Sequence, residues 1–110
     1  MDAQIFNAGL DMAMEFGKNW LQPIQERLHV RFPQLSEADL DECNEQCQAT
    51  MKFGHLELRE CWRAANSQKN AAFELFRNRV LELYPWVSAA NLAHLFSQGC
   101  YYAWKDGELT

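Results

Sequence analysis

Cys43-x-x-x-Cys47 places two thiols one helical turn apart, with His55 and Cys61 following downstream. Thiolate and imidazole ligands can hold zinc, and a pair of thiols can cycle between dithiol and disulfide. Structural zinc takes four ligands, usually with a tighter C-x-x-C spacing that this chain lacks. The four cysteines, Cys43, Cys47, Cys61 and Cys100, therefore read first as reduced thiols packed as small hydrophobes. Glu26-x-x-His29 has the spacing of half a carboxylate-bridged di-iron site, but no second Glu-x-x-His follows, which leaves a solvated helix face. His94, in Asn91-x-x-His94, aligns with Glu42 at an offset of 52, so its position is expected to face solvent or another helix. There is no G-x-S-x-G, and five scattered glycines build no phosphate loop. The expectation is a non-enzymatic protein with no cofactor. Cys43, Cys47 and His55 are the candidates should a metal or a thiol couple be used.

Helices must carry these side chains. Leu40, Cys43, Cys47, Met51, Gly54, Leu58, Cys61 and Ala65 fall at steps of three or four, which predicts one helix over about 36–66. It runs through Gly54, where a glycine costs about 1 kcal/mol against alanine. Gly54 is thus a weak point or a place of close approach by another helix. Upstream, Phe6, Leu10, Ala13 and Gly17 form one stripe, and Leu21, Ile24, Leu28 and Phe32 a second in phase with it. A break is expected at 17–19, with Gly17 past a helix end, Asn19 and Gln22 at capping-box spacing, and Pro23 in the next first turn. A single kinked helix is the alternative. The polar run NSQKN, residues 66–70, predicts a further break capped by Ser67 or Asn70. Phe73, Phe76, Val80 and Tyr84 mark the next face. The last helix is expected from Ser88 to about Lys105, ending at Asp106-Gly107 with a frayed tail. No strand alternation is visible, so the fold is all-α: a small helical bundle of four to six helices.

Residues 32–40, FPQLSEADL, are echoed by residues 84–92, YPWVSAANL, at an offset of 52. At the same offset Ile24 pairs with Phe76, Leu28 with Val80, Cys43 with Leu95 and Cys47 with Gly99, which favours the core reading of the thiols. Proline ends the preceding helix at Phe32 or Tyr84, and Ser36 or Ser88 caps the next. Leu35 and Val87 are placed to staple onto Leu40 and Leu92. The chain reads as a single helical domain, 1–110, of two related helical hairpins, an internal repeat over about 3–54 and 55–107. The run L-x-x-I-x-x-x-L-x-x-x-F-x-x-L-S-x-x-D-L, Leu21 to Leu40, resembles the core pattern of the CsbD-like bacterial stress-response proteins. The run from Phe73 to Leu92 resembles it in the same way. The resemblance implies a non-enzymatic helical protein.

At 110 residues, 48% hydrophobic and 23% charged, the composition is that of a globular domain able to bury a core without staples. Net charge is −5, all of it in residues 1–54, and no basic concentration calls for nucleic acid. The acids Asp39, Asp41, Glu42 and Glu45 open a helix, where the dipole favours them. No apolar run suits a membrane span, and acids stand where a signal peptide carries bases, so a cytoplasmic address is expected. In SAANLAHLFSQGCYYAWKDG the apolar surface extends round the helix through Tyr101 and Trp104. Tyr and Trp are favoured at interfaces. The leading expectation is protein–protein association, including self-association, through Trp86, Tyr101, Tyr102 and Trp104. The alternatives are a metal- or thiol-redox-responsive protein and a carrier of an apolar small molecule between the hairpins.

Overall fold

A computed structural model describes residues 1–109. Among the described residues all regular structure is helical. The helices are α1 (Ala3–Ala13), a 3₁₀ turn (Gly17–Asn19), α2 (Gln25–Arg31), α3 (Glu37–Ala64), α4 (Lys69–Leu83) and α5 (Ala89–Lys105). The chain divides into two compact units, one from Met1 to Met51 and one from Lys52 onward, with α3 spanning the boundary.

The first unit buries Leu10, Met14, Ile24, Leu28, Cys43 and Cys47 completely. Asp2 caps α1 by accepting from Ile5 N at 3.0 Å. The expected break is present but differently made. α1 ends at Ala13, before Gly17, and α2 begins at Gln25, so Pro23 precedes the helix instead of opening it. Asn19 lies in the 3₁₀ turn and its amide donates to Glu15 Oε1 at 2.9 Å. Leu21 adopts φ 63° and is 63% exposed, which takes it out of the predicted stripe. The cap of α2 comes from another helix: Ile24 N donates to Asn44 Oδ1 of α3 at 3.2 Å.

The second unit buries Leu58, Cys61, Phe76, Val80 and Leu95. The break at NSQKN also differs from the expectation, since Gln68, not Ser67 or Asn70, precedes the first residue of α4. Asn66 and Ser67 take φ 52° and 62°. Ser67 N donates to Trp62 O and Asn66 N to Arg63 O, both at 3.0 Å, the Schellman pattern that closes a helix end. α5 closes the same way at Gly107, φ 77°, with Glu108 N donating to Ala103 O at 2.8 Å. Glu108 also pairs with Arg59, so it is anchored and the expected fraying does not include it; Thr110 lies outside the described residues.

The two corners share their hydrogen bonds. Phe32 and Tyr84 end their helices at φ −128°, ψ 73° and φ −130°, ψ 69°. Ser36 Oγ accepts from Asp39 N at 3.1 Å, and Ser88 Oγ accepts from Asn91 N at 3.2 Å. In the first corner Asp39 completes the box by accepting from Ser36 N at 3.2 Å.

Glycines set the helix approaches. In the second unit a methyl on Gly54 would lie 2.5 Å from Leu95 Cδ2, and one on Gly99 would lie 3.1 Å from Leu58 Cγ. Each leucine occupies the space its glycine leaves, so α3 and α5 interlock. Gly54→Ala is therefore predicted to destabilise by about 1–3 kcal/mol through overpacking, against the gain in helix propensity. Urea unfolding checks this, with Leu95→Val expected to restore part of the loss. A stabilised Gly54→Ala would contradict the close approach.

Candidate functional site

The aromatic end of α5 is positioned by the interlock with α3. Successive helical residues turn by about 100°, so with Leu95 inward Trp104 falls on the opposite side and Tyr101 about 120° away. Tyr101 is 48% exposed and Trp104 66% exposed, with ring centroids 6.4 Å apart. Tyr101 also meets Tyr102 edge-on at 5.3 Å, and Tyr102 lies 5.4 Å from the His55 ring. Burial pushes the Tyr102 phenol up from its ordinary value, with Tyr101 adding to it. Arg59 holds this end of the helix, reaching Asp106 and Glu108 at 2.9 Å each. Trp86 is not brought to this cluster. It packs half-buried against Tyr84 at 6.3 Å, at the start of α5, and 17 residues of helix span about 25 Å. Three of the four expected interface residues therefore form one group.

The thiols have a different setting. Cys47 Sγ donates to Phe6 O at 3.3 Å, while Cys43 Sγ lies 3.9 Å from Ile5 O and 3.8 Å from Cys47 Sγ. A methyl on Gly9 would meet both sulfurs at 2.8 Å. The two thiols thus serve as the seat of α1. Their shared hydrogen bond and burial push the Cys47 thiol up, while the same bond draws Cys43 down against its burial. Residues four apart on a helix hold their Cβ atoms about 5–6 Å apart, beyond the roughly 3.5–4.5 Å of a disulfide. A Cys43–Cys47 disulfide would have to distort α3. Cys61 is fully buried and Cys100 half-exposed, both pushed up by burial.

His55 does not join the cysteines. Its Nε2 instead shares a hydrogen bond with Gln98 Oε1 at 2.8 Å. Among the described residues no three His, Cys, Asp or Glu side chains come together as a metal site. Glu26 and His29 are exposed on α2, and His94 is half-buried on α5. No helix among the described residues is long and apolar enough to cross a membrane.

Two features escaped the sequence. One is an exposed apolar turn in the first unit, where Phe16, 52% exposed, meets Trp20 at a tilt with ring centroids 5.1 Å apart, beside Leu21. The other is a hollow between α4 and α5 in the second unit. Its aromatic wall lay inside stripes already assigned to core, so spacing gave no separate signal. No family model, curated protein or solved structure matches the chain.

Two outcomes follow from this geometry. Under native alkylation Cys100 reacts first, and Cys43, Cys47 and Cys61 react only as fast as the fold opens. Peptide mass spectrometry reads the order, and early labelling of Cys43 or Cys47 would contradict their role as the seat of α1. Burial, partly offset by the Gln98 hydrogen bond, holds His55 below its ordinary 6.5. The unfolded chain then binds more protons below about pH 6.5, so this contribution is complete above that pH and is lost as the pH falls toward the folded value. His55→Gln should flatten the acid side of the stability curve. An unchanged slope would rule out a buried neutral ring.

Proposed function

We propose that the chain acts by protein–protein association, with a second copy of itself as partner, through the face made by Tyr101, Tyr102 and Trp104, in a cytoplasmic setting and without catalysis. The observation that carries this reading is the 66% exposure of Trp104 beside an exposed Tyr101 on a helix whose other side is core. Large aromatic side chains left in water at a rigid helix end offer apolar area at little entropy cost, the combination favoured at interface anchors. Arg59 and the Schellman turn hold that end in place before any partner arrives. The resemblance of both halves to CsbD-like proteins points the same way, toward a non-enzymatic helical protein. Trp86 belongs to a separate corner and is outside the proposed face.

Amide chemical shifts followed on dilution test the reading. Concentration-dependent shifts should cluster at residues 101–105, and the double variant Tyr101→Ser, Trp104→Ser should weaken association at least about tenfold. Both positions are exposed, so the fold should hold. Shifts confined to the Phe16–Leu21 turn, or none at all, would overturn it.

A further inference from the structure

The hollow between α4 and α5 has a volume of about 360 Å³, within the range of small-molecule sites. Lys69, Asn70 and Phe73 line it from α4, and Phe96, Ser97 and Cys100 from α5. Its wall is aromatic and braced from behind. Phe73 meets Phe96 edge-on at 5.1 Å, and Phe96 meets the fully buried Phe76 at 5.4 Å. The rim is polar, and Lys69 is the charged residue on it. The first turn of α4 adds to that positive potential, because no side chain caps its leading N–H groups. Lys69 also acts across the hollow on Cys100, opposing the effect of burial on that thiol. An apolar aromatic wall, a half-open hollow of this size and a single cation at its rim together select a ligand. The short aromatic wall of Phe73 and Phe96 matches one or two rings, and a neutral ring leaves the cation unused.

We propose that this hollow binds a small aromatic monoanion, a carboxylate on one or two rings, with the ring against Phe73 and Phe96 and the carboxylate on Lys69. Tyr101 and Trp104 do not line it, so the site stands apart from the association face.

Titration of the whole protein with 2-naphthoate, and with neutral 2-naphthalenemethanol for comparison, tests the proposal. Two readouts apply: amide shifts, and the rate at which iodoacetamide alkylates Cys100 with and without ligand. Naphthoate should bind saturably and slow alkylation of Cys100. Lys69→Gln should weaken naphthoate about tenfold while leaving the alcohol unchanged, the loss of one charge-assisted contact. Ser97→Trp, at an exposed position, should fill the hollow and abolish binding of both. The proposal is overturned if saturating naphthoate leaves the Cys100 rate unaltered, or if Lys69→Gln leaves naphthoate affinity unchanged.

Discussion

The fit of a large side chain into the space beside a glycine governs both units. In the second unit Leu95 fills the space beside Gly54 and Leu58 the space beside Gly99, which brings α3 and α5 together at backbone distance. In the first unit Gly9 receives the two sulfurs of Cys43 and Cys47, and Ile24 Cδ1 stands 3.1 Å from where a methyl would be. Interiors are close-packed, so such contacts permit little sliding or rotation. Once Leu95 and Gly99 are fixed inward, the direction of every other side chain on α5 follows from the helical repeat. Tyr101 and Trp104 are turned outward by that geometry, and Phe96 and Cys100 toward α4.

The corners were the most legible part of the chain. Proline, a serine cap and an aspartate or asparagine three residues on are local devices, and local devices are written in adjacent letters. Phe32 and Tyr84, Ser36 and Ser88 all perform as their spacing says, and α3 runs through Gly54 as the stripe required. The glycine that looked like a weak point is the point of closest approach. Propensity alone saw its cost; tertiary packing supplies its use.

What the sequence concealed was settled by residues distant in the chain. α2 starts late because its first free amide, Ile24 N, is met by Asn44 of α3, a cap that no local pattern contains. Ser67 read as a cap by type, yet with Asn66 it is spent on left-handed backbone closing α3. Trp86 was grouped with the C-terminal aromatics by residue type, whereas α5 separates them by its full length. The thiol pair looked like chemistry because its spacing is that of ligands. Buried against the carbonyls of Ile5 and Phe6, it is packing.

The account of function rests on the outward aromatic face that this packing produces, so the solution mass of the unmodified protein bears on it most directly. Sedimentation equilibrium from micromolar to millimolar concentration should give a mass that rises from 12.8 kDa toward twice that value. Fluorescence quenching by iodide should show Trp104 becoming shielded over the same range. A mass constant at 12.8 kDa, with Trp104 equally quenched at the highest concentration, would contradict the account.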